Sequence, residues 1–215
     1  MNLKTALDTF RAEFLEKFPA QKAAIMQQAN DALIEAFQSR QPIQTGSLAP
    51  DFALANAVGE TVKLSDRLSQ GAVILSFYRG GWCPYCNLEL RAYQQVLPQI
   101  RELGASLIAI SPQTPDTSLT TVEKNNLEFD VLSDVGSQVA QMYGIAFELP
   151  DYLQHLYTEL GHPLPENNGT EDWQLPVPAT FVIAPDGRVI LAHVDVDYRH
   201  RLEPMDAIAA LKQYS

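Results

Sequence analysis

The feature that most constrains the fold is a junction between a buried strand and a helix near residue 80. Residues 72–78 form a continuous apolar run, AVILSFY, which is typical of a strand covered on both faces of a sheet. Residues 79–81, Arg-Gly-Gly, then predict a turn. Cys83 and Pro84 begin a helix, because proline is favoured at the first helical position, where its missing N–H costs nothing.

The second cysteine, Cys86, lies three residues further along, on the same helix face and about one turn deeper. A rise of ~1.5 Å per residue keeps the two Cα atoms near the ~5.5 Å that disulfides require. Free backbone N–H groups and the positive helix end should stabilise a thiolate at Cys83. We therefore expect a redox-active pair in which Cys83 attacks and Cys86 resolves, with two inert buried cysteines as the alternative.

Charge and composition exclude several classes of protein. The chain has 26 acidic against 15 basic residues and a net charge of −11, which would repel nucleic acids and anionic membranes. No apolar stretch approaches the ~20 residues of a membrane span, and residues 1–8 lack a signal-peptide core, so we expect a cytoplasmic protein. The two cysteines and four histidines show no four-ligand pattern. We predict no metal and no cofactor.

The chain divides into two parts. Residues 1–45 predict an N-terminal extension of two amphipathic helices. Residues 46–215 alternate strands and helices, which predicts an α/β domain with a mixed sheet flanked by helices. Residues 145–175 are rich in proline and are predicted to be an irregular insertion or lid. The extension either packs on the flank of its own domain or forms a dimer arm, so a homodimer stays an open alternative.

Hairpins are predicted at two places in the α/β domain, each around a short turn. The first joins residues 51–54 to residues 61–64 across Val58-Gly59-Glu60. The second joins residues 179–184 to residues 188–194 across Pro-Asp-Gly, a strong turn signal. The hairpins are expected to extend a central sheet built from strand–helix–strand units.

Four segments resemble the alkyl hydroperoxide reductase/thiol-specific antioxidant family, the peroxiredoxins, within the thioredoxin-like fold. They are Gly-Ser-Leu-Ala-Pro-Asp-Phe at 46–52, Phe-Tyr at 77–78, Leu-Ser-Asp at 132–134 and Val-Ala-Gln-Met-Tyr-Gly-Ile at 139–145. The resemblance covers roughly residues 46–213 and leaves the N-terminal helices outside. It implies a thioredoxin-like mixed sheet and thiol-based redox chemistry.

At the site the chain departs from the peroxiredoxin pattern. Alignment on residues 77–78 places the family's peroxidatic cysteine at Cys86 and its peroxide-holding threonine at Cys83. Arg79 replaces the family's proline, and Pro178 stands where the family has a thiolate-activating arginine. The resemblance therefore implies a peroxidase that lacks the family's threonine and arginine at their usual positions.

The same segment is similar to another group of the fold. Residues 82–86, Trp-Cys-Pro-Tyr-Cys, resemble the thioredoxin motif, and their inner dipeptide is like that of glutaredoxins. Pro178 before a strand resembles the cis-proline that faces the dithiol in thioredoxins. The candidate supporting residues are Trp82, Pro84, Tyr85, Arg79 and Pro178. Weaker candidates are Arg91 and the charged run 195–201, whereas Tyr157 is expected to cap the sheet.

Three functions follow from these patterns. The first is a thiol-disulfide oxidoreductase that cycles Cys83 and Cys86, acts on protein or small-molecule thiols and disulfides, and serves antioxidant defence or thiol-redox homeostasis. The second is a peroxidase in which Cys86 attacks a hydroperoxide and Cys83 resolves the sulfenic acid, slowly for want of the threonine and the arginine. The third is a redox-switched interaction protein whose N-terminal helices bind a partner.

Overall fold

The computed structural model describes residues 2–214 of the 215-residue chain. The helices are α1 (Leu3–Lys17), α2 (Ala20–Phe37), α3 (Leu64–Leu68), α4 (Pro84–Glu102), α5 (Pro115–Asn125), α6 (Gln138–Met142), α7 (Asp151–Glu159), α8 (Leu164–Asn168) and α9 (Pro204–Tyr214). The strands are β1 (Ala53–Asn56), β2 (Thr61–Lys63), β3 (Val73–Phe77), β4 (Ser106–Ser111), β5 (Asp130–Ser133), β6 (Ala146–Glu148), β7 (Gln174–Pro176), β8 (Ala179–Ile183) and β9 (Val189–Val194). None of these helices is both long enough and apolar enough to cross a bilayer.

The main sheet has seven strands in the order β2-β1-β5-β4-β3-β8-β9. Strands β3, β4 and β5 are parallel, whereas β8 runs antiparallel to β3 and β9 antiparallel to β8. Both predicted hairpins are present, as β1–β2 and β8–β9. The thioredoxin-like mixed sheet flanked by helices is thereby confirmed.

Strand β3 is buried along its whole length because its alternate side chains pack against two different layers. Ile74 lies in one apolar cluster with Tyr93 and Leu97 of α4. Leu75 belongs to the cluster on the other face, together with Val139 of α6. The apolar run that predicted a central strand therefore reflects burial on both faces.

The turn from β3 into α4 depends on two glycines. Gly80 has φ +149°, and a Cβ there would lie 2.4 Å from Nε1 of Trp82. A Cβ on Gly81 would lie 2.1 Å from Oγ1 of Thr121 in α5. The Gly81 N–H donates to Oε1 of Gln113 at 2.6 Å. Glycine at both positions lets the strand end, the tryptophan and α5 meet beside the start of α4.

The N-terminal helices pack on their own chain. Leu3 and Leu7 of α1 are buried in a cluster with Tyr85 and Cys86 of α4. Helix α2 packs against α7. The carboxylate of Glu203 accepts the backbone N–H groups of Leu3 and Lys4, at 3.1 and 2.6 Å, which satisfies free donors at the start of α1. Both helices thus bury part of their apolar faces against their own chain.

Residues 145–175 are more regular than the sequence predicts. Strands β6 and β7 pair in a separate two-stranded sheet, and α7 and α8 lie between them. The expectation of an irregular segment was wrong because its prolines begin helices. Pro150 and Pro163 are N-cap residues of α7 and α8, and Pro165 lies in the first turn of α8.

The packing of α1 can be tested through Leu7. Leu7→Ala is expected to lower the free energy of unfolding by about 2–4 kcal/mol, because it removes buried methyl groups and leaves a cavity. Leu15→Ala is the matched control on the same helix, since Leu15 is 52 % exposed, and should change stability by less than ~0.5 kcal/mol. Equal effects in denaturant titrations would show that α1 is not docked in solution.

Candidate active site

Cys83 is the N-cap residue of α4, with extended backbone angles (φ −85°, ψ 115°), and Pro84 follows as the first helical residue. Asn87 secures this turn. Its Nδ2 donates to the carbonyl oxygens of Gly81 and Cys83, at 2.8 and 3.1 Å, and its Oδ1 accepts from Asn125 of α5 at 2.8 Å. The first cysteine is therefore held where the sequence predicts, at the boundary between turn and helix.

Both cysteines are free thiols and both are buried, with exposed fractions of 2 % for Cys83 and 0 % for Cys86. A cleft reaches Cys83, and its walls close over the sulfur. Access to the pair is controlled by the residues that form these walls.

The two thiols have opposite acidities. Burial raises the pKa of Cys83, but the hydrogen bond from the Cys86 thiol and the positive charges of Arg79 and Arg201 outweigh it and lower that pKa to about 6. Burial also raises the pKa of Cys86, and the hydrogen bond and charge of Cys83 raise it further. At neutral pH, Cys83 is therefore the thiolate and Cys86 the thiol that donates to it.

Arg79 is a buried cation enclosed by aromatic rings. Its guanidinium carbon lies 4.3 Å from the ring centroid of Tyr198, 5.0 Å from that of Trp82 and 5.7 Å from that of Tyr157, and its Nη2 donates to the Tyr157 hydroxyl. No carboxylate among residues 2–214 forms an ion pair with it. Burial opposes its charge, and the Tyr157, Cys83 and Tyr198 groups raise its pKa. The Cys83 thiolate thus provides an anion for this otherwise uncompensated guanidinium.

A second guanidinium reaches Cys86. Nε of Arg201 lies 2.7 Å from Oε2 of Glu89, with both side chains almost fully buried, and Nη2 of Arg201 lies 3.6 Å from Sγ of Cys86. Burial raises the pKa of Glu89 to about 7, and the charge of Cys86 adds to the rise although Arg201 opposes it. Arg201 therefore links a buried acid to the resolving thiol.

The sequence placed Arg201 only within a charged run and missed Glu89 altogether. One signal was available for the acid, because Glu89 follows Cys86 by three residues and must share its helix face. No comparable signal exists for Arg201. It reaches the dithiol from the segment after β9, 115 residues along the chain.

An aromatic cleft of about 170 Å³ leads to Cys83. Three sides are formed by separate parts of the chain: α1, the residue 145–175 insertion, and the segment around the cysteines. The lining residues include Phe10, Phe14, Phe18, Arg79, Trp82, Cys83, Pro84, Tyr85, Tyr157, His162 and Tyr198. Ring pairs join these parts, with centroid distances of 5.0 Å for Phe10–Tyr85 and 5.4 Å for Trp82–Tyr157. Tyr157 therefore lines the cleft, and the expectation that it caps the sheet was wrong.

The other predicted residues separate into two groups. Arg79, Trp82, Pro84 and Tyr85 all line the cleft. Pro178 does not. It is buried before β8 and borders a neighbouring cavity, and residues 2–214 contain no cis peptide bond, so the expectation that Pro178 is a cis-proline was wrong.

Arg91, the weaker arginine candidate, lies outside the cleft. It is exposed, and its Nη1 donates to Oδ1 of Asn125 at 3.0 Å. Among residues 2–214, no group of three or more His, Cys, Asp or Glu side chains is arranged to hold a metal ion.

A dithiol with one acidic sulfur, at the start of a helix that follows a central strand, defines a thiol-based oxidoreductase of thioredoxin-like fold. The chain belongs to the AhpC/TSA family, whose model matches residues 45–192. This assignment confirms the family that the sequence motifs resemble.

The chain is similar both to proteins named thiol-disulfide oxidoreductases and to proteins named peroxiredoxins. The thiol-disulfide oxidoreductase ResA of Bacillus cereus is 25 % identical over 155 residues, which are 72 % of each protein. The peroxiredoxin Bcp of Escherichia coli K12 is 30 % identical over 104 residues, 48 % of this chain and 66 % of the relative. The crystal structure of peroxidoxin BcpB from Mycobacterium tuberculosis shares the fold, with a TM-score of 0.64 and 24 % identity over 80 % of this chain and 99 % of that one.

The electrostatic role of Arg79 can be tested directly. Arg79→Met is expected to raise the pKa of Cys83 from about 6 by roughly 1–2 pH units, because it removes a buried positive charge next to the thiolate. The measurement is the pH dependence of thiolate ultraviolet absorbance in the reduced protein. Arg91→Met is the control and should leave the titration unchanged. A titration that is the same in both variants would contradict the role.

The raised pKa of Glu89 predicts that this residue makes the free energy of unfolding depend on pH. Its pKa in the folded protein is about 7, above the ordinary 4.5, so the stability it contributes is fully present below pH 4.5 and is lost as the pH rises to 7. Relative to Glu89→Gln, the wild type should lose up to about 3 kcal/mol of unfolding free energy over this interval. Denaturant titrations of both proteins at several pH values measure the difference. A difference independent of pH would show that Glu89 titrates normally.

Proposed function

We propose that the protein is a thiol-disulfide oxidoreductase in which Cys83 makes the first attack. The observation that carries this proposal is the opposite acidity of the two thiols. Cys83 is a thiolate that opens onto the aromatic cleft, whereas Cys86 is a thiol buried beneath it. The attacking sulfur of an exchange reaction must be the thiolate and must be the one that a substrate can reach.

The reaction in the reducing direction has two steps. The Cys83 thiolate attacks one sulfur of a substrate disulfide, and the substrate S–S bond breaks to release one thiolate and leave a mixed disulfide on Cys83. Cys86 then loses its proton and attacks the Cys83 sulfur, which releases the second substrate thiolate. Two electrons pass to the substrate, and the protein ends with a Cys83–Cys86 disulfide.

The charges around the pair assist the second step. Once Cys83 is in a mixed disulfide it carries no negative charge, so the repulsion and the hydrogen bond that kept Cys86 protonated are lost. Arg201, with Nη2 3.6 Å from the Cys86 sulfur, then stabilises the Cys86 thiolate. Glu89 shares Arg201 with Cys86, and its raised pKa of about 7 makes it an acceptor for the released proton.

The shape of the cleft restricts the substrate. Because Cys83 is 2 % exposed between aromatic walls, the substrate sulfur must be carried on a narrow group, such as a small-molecule disulfide or an extended peptide. We place the protein in antioxidant defence or thiol-redox homeostasis in the cytoplasm. The support is its low cysteine content, which is typical of proteins in a reducing compartment.

A second candidate function is peroxide reduction. Pro178 stands where the family has its arginine, but positive charge near the sulfurs comes from Arg79, a supporting candidate in the sequence, and from Arg201. In this reaction a Cys86 thiolate attacks the terminal peroxide oxygen, the O–O bond breaks to release an alcohol, and Cys83 condenses with the sulfenic acid to release water. The complete burial and the raised pKa of Cys86 oppose this route.

The exchange proposal predicts which cysteine forms the mixed disulfide. Reduced Cys86→Ser, mixed with a small disulfide such as hydroxyethyl disulfide, should accumulate a stable adduct on Cys83, because the resolving thiol is absent. Cys83→Ser should react at least about 100-fold more slowly, because Cys86 is completely buried and only Cys83 lines the cleft that a substrate enters. Mass spectrometry over time measures both. An adduct formed only by Cys83→Ser would reverse the assignment.

Stopped-flow mixing with hydrogen peroxide separates the second candidate from the first. Oxidation of the reduced protein at the rate of a free thiol supports exchange as the activity. Oxidation several orders of magnitude faster, abolished in Cys86→Ser and retained in Cys83→Ser, would make the protein a peroxidase.

A further inference from the structure

A second cavity, of about 210 Å³, lies beside the dithiol cleft between α2 and the segment that contains β6 and α7. Its walls are largely apolar and include Leu33, Phe147 and Leu153. It shares Arg79 and two of the rings around that residue with the dithiol cleft. The cavity does not contain either cysteine among its lining residues.

Two buried side chains that line this cavity carry polar atoms without a hydrogen-bond partner. Asn30 of α2 is 5 % exposed, and neither its Nδ2 nor its Oδ1 makes a hydrogen bond. Arg79 is 4 % exposed, and its Nε is also without a partner. Buried polar groups in folded proteins are almost always satisfied. Two such groups on the wall of one cavity point to a ligand whose polar end would pair with them.

The chemistry of the two groups limits that polar end. An arginine can only donate and carries a permanent positive charge, so its partner must be an acceptor and is favoured if it is anionic. A carboxylate meets both conditions and can accept from Nδ2 of Asn30 as well, which leaves Oδ1 for a hydroxyl or a water molecule. The apolar walls suit a hydrocarbon tail. The acidic residue on the lining, Glu148, is exposed, and its carboxylate accepts the N–H of Trp173 at 3.2 Å.

We propose that this cavity binds a small monocarboxylate with an apolar tail, held by Arg79 and Asn30. The cavity adjoins the cleft through which substrates reach Cys83 and shares Arg79 with it, but neither cysteine lines the cavity, and the proposed exchange reaction does not require a ligand there. It gives the protein a means of sensing an organic acid.

The shared arginine couples this site to the dithiol. A bound carboxylate and the Cys83 thiolate would both be stabilised by the positive charge of Arg79. Each anion therefore reduces the stabilisation that Arg79 gives to the other. The disulfide form carries no thiolate, and the ligand therefore binds it more tightly than it binds the reduced form at neutral pH. By reciprocity, the ligand favours the disulfide by the same factor. This coupling rests on the proposed function, whereas the binding itself does not.

Calorimetric titration of the oxidised protein with octanoate, octanol and octylammonium tests the site. Octanoate should bind about tenfold or more tightly than octanol, the gain expected from a hydrogen bond to a charged group, and octylammonium should not bind. Equal affinity for octanoate and octanol, or no binding of octanoate, would overturn the proposal.

Asn30→Leu provides a variant that should remain folded, because it removes a buried unsatisfied amide. It is expected to keep or raise the melting temperature and to lose most of the octanoate affinity. Gln28→Leu is the matched control, since Gln28 lies on the exposed side of the same helix, and it should bind octanoate as the wild type does. Unchanged binding to Asn30→Leu would contradict the assignment.

The coupling is measured by comparing octanoate affinity between the oxidised and reduced proteins at pH 8, with Cys83→Ser as a form that has no thiolate at this position. Oxidised wild type and Cys83→Ser should bind more tightly than reduced wild type, and equal affinities would refute the coupling. These titrations involve no turnover. Failure of octanoate to bind therefore contradicts the cavity proposal alone, and failure to trap a mixed disulfide contradicts the proposed function alone.

Discussion

The site depends on the electrostatic pairing of the Arg79 guanidinium with the Cys83 sulfur. A buried cation without a carboxylate partner costs free energy unless an anion or polarisable groups compensate it. Three aromatic rings and the thiolate provide that compensation. The same pairing keeps Cys86 protonated, because a thiol next to a thiolate ionises less readily. The division of labour between the two sulfurs follows from burial, from the hydrogen bond between the two sulfurs and from the positive charges of Arg79 and Arg201.

Much of the fold could be predicted from local sequence signals. The apolar run 72–78 indicated the central strand, the Pro-Asp-Gly turn indicated a hairpin, and the glycines at 80 and 81 indicated the turn before the helix; all are present. The insertion was misinterpreted because proline ends some elements and begins others. Only the residues packed around 145–175 decide between these two roles.

The immediate surroundings of the cysteines could be predicted only in part. Residues adjacent to the dithiol in sequence, such as Trp82 and Tyr85, line the cleft because the chain places them there. Arg201 and Tyr157 reach it from distant segments, and nothing in their local sequence marks them. Pro178 shows the opposite error, since a resemblance between motifs assigned it a cis peptide bond that the structure does not have.

The segment between β9 and α9 contacts every part of the site. Tyr198 covers the Arg79 guanidinium, Arg199 donates to Gln27 of α2 at 2.8 Å, Arg201 reaches Cys86, and Glu203 receives the first N–H groups of α1. The short segment between β9 and α9 thus contacts both the N-terminal helices and the Cys86 sulfur. A displacement of α1 and α2 would therefore move the Arg201 guanidinium beside Cys86. The pKa values of the two thiols would then depend on whether these helices are docked.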